Sequence, residues 1–382
     1  MTEDQRENTK NNKSRIVAQS LGIIFTILIS LILAELILWV AFPIPLKRPL
    51  KIISNQNIPG LKEIVAYERN QFGLRSLSMK TKEKPPGNLR IICLGASTTD
   101  QTTQNTEDTW SGILETKLRQ EFKTNGIEVA AYGRGGERAY HILKYAKNEL
   151  LDYQPDLVIL LLGFNHLRSM GGPGYQYTTF QEPTSSEIEN EAKKKHFKDV
   201  TQLGRRLLIF EHKAKSIWAL LTGKSFEFHS RKLPELRKRY QGLPFVEIPV
   251  REPDPIHEFS DTMSALLEFL VKSGIDVIVL GQPVIWKEDM SGEEMASLHF
   301  SLNTPNGEVR PGTYWLEREM SQYNEVQRQL ADRFNADFID LNSKIPKTLD
   351  YFFDDCHFTD RGSRQVAEEI FPALREHIRK LL

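Results

Sequence analysis

Near the C-terminal end of the chain Asp354 and His357 stand three residues apart, and far upstream Ser97 follows the apolar run 91–94 and a Gly-Ala pair. A serine hydroxyl is a poor nucleophile unless a base takes its proton, and the base works best when a carboxylate fixes its tautomer. The i, i+3 spacing lets Asp354 reach the His357 imidazole within one loop turn. Acyl transfer also needs two or three N–H donors aimed at the oxyanion. Gly136, in Gly133-Arg134-Gly135-Gly136, can offer its backbone N–H at close approach because no side chain is in the way. Asn165, in Gly163-Phe164-Asn165-His166, can offer a side-chain amide, and the Ser97 backbone N–H is a third donor. Each feature also has a plain structural use: a capped loop, a tight turn, an Asp–His pair in a fold. Their joint occurrence, on turns that follow separate strands, favours chemistry.

The elements that position these turns read as strands over 89–94, 127–132, 157–162, 275–280 and 338–341. Helices read over 110–122, about 139–151, 266–272, about 315–334, and from 362 to about 382. The run 157–162 is continuously apolar, as suits a central strand covered on both faces. Strands spaced by helices imply an α/β fold with a parallel sheet and right-handed crossovers. In such a sheet the serine, glycine and asparagine turns share one edge. A polar excursion covers 286–312, and 70–75 reads as a turn packed on the domain.

Ahead of the domain lie a polar tail at 1–15, a segment at 16–43 that is almost wholly apolar from Leu21 to Phe42, and a linker or loose collar at 44–87. About 20 apolar residues span a bilayer as a helix, so 16–43 is expected to be an uncleaved transmembrane anchor, with Trp39 at an interface and Glu35 toward the exit side. Basic residues flank both ends. The short tail favours the bulk of the chain outside, facing the periplasm or the cell exterior. The domain, 88–382, carries a charged insertion at about 168–262, with a helix over 208–221 and an irregular stretch over 244–255. It reads either as a lid or substrate collar or as a solvated helical excursion.

Acidic and basic residues balance at 50 each, so nothing global points to nucleic acid. Cys93 and Cys356 cannot make a disulfide framework; Cys93 lies in an apolar strand as packing, and neither has metal-ligand spacing. No metal or cofactor is expected.

Four blocks of the sequence resemble the SGNH (GDSL-like) hydrolase superfamily in family order: Gly95-Ala96-Ser97, Gly133-Arg134-Gly135-Gly136, Gly163-Phe164-Asn165-His166, and Asp354-Asp355-Cys356-His357. The resemblance covers about 88–166 and 265–380 and implies a three-layer α/β/α sandwich. It also implies Ser97 as nucleophile, His357 as base, Asp354 as orienter, and Ser97, Gly136 and Asn165 as oxyanion donors. Ala96 and Thr98 replace the Asp and Leu of the literal motif, Ala131 stands where an asparagine is frequent, and His166 replaces an aspartate. His166 is expected to alter loop packing and leave catalysis intact, with a second-base role as the alternative. Asp355 has the wrong spacing to orient His357. The function implied is a membrane-anchored serine esterase cleaving acyl esters, O-acetyl in the first instance, of a carbohydrate or cell-envelope glycan. The alternatives are an O-acyltransferase acting on a polysaccharide and a non-catalytic membrane-tethered binding or assembly protein that kept the fold.

Overall fold

The computed structural model describes residues 19–20, 22–35, 37, 51–55, 58–168, 232–249, 255–304 and 307–381. Two compact units divide the chain: residues 1–47 with 184–215, and residues 48–183 with 216–382. In the first, residues 22–35 are helical and leave Ile23, Ile24, Phe25 and Ile32 exposed. Among the described residues no helix is long and apolar enough to cross a membrane. Residues 16–18 and 38–43 of the expected span lie outside the described residues, as does the expected helix over 208–221.

The second unit begins with an antiparallel hairpin of β1 (Lys51–Ser54) and β2 (Ile64–Tyr67). Then come β3 (Arg75–Ser76), β4 (Leu89–Gly95), β5 (Ile127–Gly133) and β6 (Leu157–Leu161). Further along are β7 (Phe245–Val246), β8 (Asp276–Leu280), β9 (Leu302–Thr304), β10 (Gly307–Pro311) and β11 (Asp337–Ile339). The central sheet has the order β11-β8-β6-β4-β5-β3, parallel except for β3. Every residue of β4, β5 and β6 is buried, as expected for apolar strands covered on both faces. The one charge at the start of β4, Arg90, is compensated by Glu128 at 2.6 Å and by the Tyr153 carbonyl at 2.8 Å.

The layers follow from the handedness of the crossovers. From β4 the chain passes through the helix Trp110–Phe122 to β5 on one side; from β5 it returns through Ala139–Asn148 to β6 on the other side of β4. Right-handed crossovers put these two helices on opposite faces. The helices Ile256–Lys272 and Thr313–Arg333 continue in the second direction and pack with each other, and the first of them packs on Ala139–Asn148. The last helix, Asp360–Leu381, packs on Trp110–Phe122. The result is an α/β/α sandwich whose direction of winding reverses at β4, where a crevice opens beyond the carboxyl ends of the strands.

Three expectations change. The sheet is not wholly parallel: β3 pairs antiparallel with β5, a two-residue edge strand set up by the turn in which Asn70 N bonds Leu74 O at 2.7 Å. Residues 58–87, expected to be a linker or collar, thus supply an edge of the central sheet. The domain helix expected from 266 starts at Ile256, inside the expected insertion, because Phe259 and Met263 extend its buried face by two turns. The stretch 244–255 contains β7, which pairs with β10, and 286–312 holds the β9–β10 pair and a short helix, Gly292–Ser297.

Candidate active site

β4 ends at Gly95, and the helix Ser97–Asp100 starts immediately after it. Ser97 opens this helix, so its N–H is among the first-turn donors with no intrahelical acceptor. The turn is pressed against the end of β5: a Cβ on Gly133 would lie 2.4 Å from the Ala96 carbonyl oxygen. Close approach in this region is therefore a property of Gly133. Gly136 has open space around a built Cβ and needs glycine for its φ of +83° instead. This corrects the physical reason expected for the glycine block.

The loop that precedes the last helix brings the base to the serine. His357 Nε2 lies 2.8 Å from Ser97 Oγ, and its Nδ1 lies 2.8 and 2.9 Å from the two oxygens of Asp354. Asp354 Oδ1 also accepts the backbone N–H groups of Cys356 at 3.0 Å and His357 at 2.8 Å. Burial opposes charge on Asp354, but His357 and these donors outweigh it and hold the carboxyl well below the usual range. Burial likewise opposes charge on His357, and the Asp354 carboxylate overrides it, so the imidazole is raised well above its ordinary value. A serine, an imidazole and a buried carboxylate in hydrogen-bond sequence can activate the hydroxyl, the imidazole taking its proton and the carboxylate orienting the ring.

The other two predicted blocks meet each other. Asn165 Nδ2 donates to the Glu137 carbonyl at 2.8 Å, tying the turn after β6 to the glycine loop after β5. Gly135 and Arg134 line the cavity in front of Ser97, and Gly136 and Asn165 are not in that lining. His166 is buried; its Nε2 accepts the Ala139 N–H at 2.9 Å, at the start of the helix Ala139–Asn148. Burial, with Arg138 and His141 nearby, pushes it down to about 3, so it is a neutral acceptor that supports the loop.

Several site groups carried no sequence signal. Arg69 Nη2 reaches Asp100 Oδ2 at 2.7 Å and the Gly133 carbonyl at 2.6 Å, and its Nε bonds the Tyr67 hydroxyl. It thus links the serine helix to the end of β5. Burial opposes its charge while Asp100 and Tyr67 favour it, and the net shift is upward. Arg75, fully buried, donates to the carbonyls of Asp100, Gln101 and Gln104 at 2.5–2.7 Å, and burial lowers it to about 10. Both arginines come from the stretch expected to be a collar. The only hint was an arginine on either side of the Asn70–Gly73 turn.

Asp354, Cys356 and His357 also form a cluster of metal-ligating types, with Cys356 Sγ 3.8 Å from His357 Nδ1. Burial pushes the Cys356 thiol up to about 11, and Nδ1 is committed to the carboxylate. That chemistry suits activation of the hydroxyl better than a thiolate site.

The cavity before Ser97 has a volume of about 600 Å³. One wall is polar, with Gln101, Thr102, Thr103 and Gln104; another is apolar, with Leu233, Leu236 and Phe353. Leu233 and Leu236 lie on the helix Lys232–Gln241, part of the insertion, and Arg237 of that helix donates to the Phe353 carbonyl at 2.6 Å. The helix Lys232–Gln241 of the insertion thus lines the site, while Phe245 and Ile248 beyond it are exposed, and residues 169–231 lie outside the described residues.

Comparison with known proteins gives one family match and several distant structures. Residues 93–365 match the GDSL-like lipase/acylhydrolase family. No curated protein matches the sequence. Among solved structures, the acetyl xylan esterase AlAXEase is similar at 18% identity and a TM-score of 0.41, covering 75% of this chain and 99% of that one. A catalytic mutant of Axe2, an acetylxylan esterase from Geobacillus stearothermophilus, is similar at 13% identity and a TM-score of 0.39, covering 76% and 95%. An alpha/beta hydrolase from the metagenome of Lake Arreo, Spain, is similar at 12% and 0.39, covering 75% and 94%.

Proposed function

The chain belongs to the GDSL-like lipase/acylhydrolase family, and from that premise we propose that it is a serine esterase working through an acyl-serine intermediate. The observation that carries the proposal is the unbroken sequence Ser97 Oγ, His357 Nε2, His357 Nδ1, Asp354, each step at 2.8–2.9 Å. His357 Nε2 takes the Ser97 proton as Oγ bonds the ester carbonyl carbon. The carbonyl π electrons move to oxygen, and the oxyanion is met by the Ser97 N–H, a first-turn donor with no intrahelical acceptor; the other expected donors, Gly136 and Asn165, do not line the cavity. The C–O bond to the alcohol then breaks, and His357 gives its proton to the leaving oxygen. Water, activated by the same imidazole, repeats the attack and releases the acid and free Ser97. Asp354 keeps the imidazole in the productive tautomer throughout.

The substrate class is an O-acyl, foremost O-acetyl, ester of a carbohydrate or cell-envelope glycan. Support comes from the expected placement of the domain outside the cytoplasm, where O-acylated glycans are accessible esters; the Gln101 and Gln104 amides are spent on each other, Ser363, Asp360 and the Trp110 N–H. The chain is held by its N-terminal segment as a single-pass anchor with the domain outside the cytoplasm. Support for the anchor is the apolar run from Leu21 to Phe42 and the exposed Ile23, Ile24, Phe25 and Ile32 on helical residues 22–35.

The test is labelling of the detergent-solubilised full chain with a fluorophosphonate, beside Ser97→Ala and His357→Ala. Labelling is expected in the wild type, absent in Ser97→Ala and strongly reduced in His357→Ala. A folded wild-type chain that takes no label removes the esterase reading. Product analysis with an acetylated glycan then separates release of acetate from transfer to a second sugar hydroxyl.

A further inference from the structure

Two adjacent carboxylates, Asp354 and Asp355, are divided between two histidines of one cavity. Asp355 is buried and does not face His357. Its Oδ1 accepts Trp286 Nε1–H at 2.9 Å; its Oδ2 accepts the His299 backbone N–H at 2.8 Å and lies 3.3 Å from His299 Nδ1, close enough for charge attraction although the ring nitrogen makes no hydrogen bond. A buried carboxylate is costly unless its oxygens are satisfied, and here donors from two loops converge on it. The indole that holds it is itself packed edge-to-face on Phe300, the residue after His299, at 5.1 Å. The segment 298–300 is therefore locked against the catalytic loop.

This arrangement sets what His299 can do. A carboxylate behind Nδ1 favours the tautomer with hydrogen on that atom, leaving the Nε2 lone pair as an acceptor. Among the described residues Nε2 carries no hydrogen bond, and His299 lines the same cavity as Ser97 and His357. The reaction described above uses neither His299 nor Asp355.

We propose that His299 binds substrate, its Nε2 accepting a hydrogen bond from a free hydroxyl on the alcohol half of the ester, and that Asp355 positions it. The inference rests on the esterase reading and narrows the substrate to esters of polyhydroxylated alcohols with a free hydroxyl near the scissile oxygen. An acceptor left unfilled by a plain alcohol would discriminate against it, since a site built for a hydroxyl rejects analogues that lack one.

The test is steady-state hydrolysis, by the full chain, of a methyl pyranoside carrying one acetyl group beside a free hydroxyl, and of p-nitrophenyl acetate. His299→Ala is expected to lower kcat/KM on the sugar ester by about 10- to 100-fold, the loss of one hydrogen bond to substrate. Most of that change should appear in KM, with p-nitrophenyl acetate changed by less than about threefold. His299→Gln, whose amide oxygen can still accept, should recover part of the loss, and Asp355→Asn should move the two esters apart in the same direction by less. Equal losses on both esters in the folded variants, or no loss on either, would overturn the inference. A wild type whose Ser97 cleaves p-nitrophenyl acetate and leaves the sugar ester untouched overturns it alone; a wild type inactive on both removes the esterase reading as well.

Discussion

His357 lies in the loop before the last helix and His166 on the short helix Phe164–Arg168 that follows β6, and the fold gives them opposite electrostatics. His357 has the Asp354 carboxylate 2.8 Å behind its Nδ1 and is raised well above an ordinary imidazole. His166 is buried against Phe259 with Arg138 and His141 nearby, and is pushed down to about 3. The Nε2 of the first lies 2.8 Å from Ser97 Oγ; that of the second accepts a backbone N–H from Ala139. The group behind the ring decides which can be a base, and that group is placed by the tertiary fold.

The largest effect expected from breaking this contrast is in Asp354→Asn. Loss of the orienter should lower kcat by about 10³- to 10⁴-fold with the fold intact. Only the neutral imidazole can take the Ser97 proton, so wild-type kcat/KM should rise with pH through a value above that of an ordinary histidine. In Asp354→Asn that acid limb should move to lower pH. An unchanged limb would mean that another group sets it.

A second comparison asks whether the His357 loop depends on the charges beneath Ser97. Arg69→Met leaves Asp100 buried without its cation, and unfolding in urea should show a loss of about 3–5 kcal/mol. A loss below about 1 kcal/mol, the range of exposed pairs, would show that Arg69 is not a structural tie.

His166→Ala should cost less. It orphans the Ala139 N–H, worth about 1–3 kcal/mol, while activity below the melting temperature should stay within about tenfold of wild type, against the far larger loss at Asp354. A collapse as deep as that of His357→Ala would revive His166 as a second base.

The smallest effect is on the pH dependence of stability, where the two histidines have opposite signs. The folded His166 value, about 3, lies below its unfolded value, so the unfolded chain takes up a proton that the folded chain refuses. Its contribution falls as pH drops from about 6.5 toward 3. His357 is raised on folding, so its contribution is complete below about 6.5 and is lost as pH rises through the raised value. Melting temperatures of His166→Gln across pH 4–7 should show a flatter acid side than wild type; an identical slope would place the acid sensitivity elsewhere.

Local pattern carried much of this site. The runs that became β4, β5 and β6 are apolar enough to require cover on both faces, and Ser97 directly follows the first of them. The Asp354–His357 pair closes within a single loop turn, so its contact was legible from spacing. The glycine block was legible as a turn but not in detail, because Gly135 and not Gly136 faces the cavity, a matter of backbone direction. Arg69 and Arg75 were hidden, since their partners are about 30 residues away and reach them only after β3 pairs with β5. His299 was hidden for the same reason, more than 50 residues from the carboxylate that holds it.

The sequence by itself therefore determined the strand–helix alternation, the edge at which these turns gather, and the Asp354–His357 contact, which closes within one loop turn. Periodicity and short-range reach are local properties of the chain. Only the tertiary structure decided that Asp355 lies beside His299, that His166 is buried and neutral, and that the helix Lys232–Gln241 lines the cavity. Those outcomes depend on burial and on charges brought together across the sheet, and no local stretch of sequence contains them.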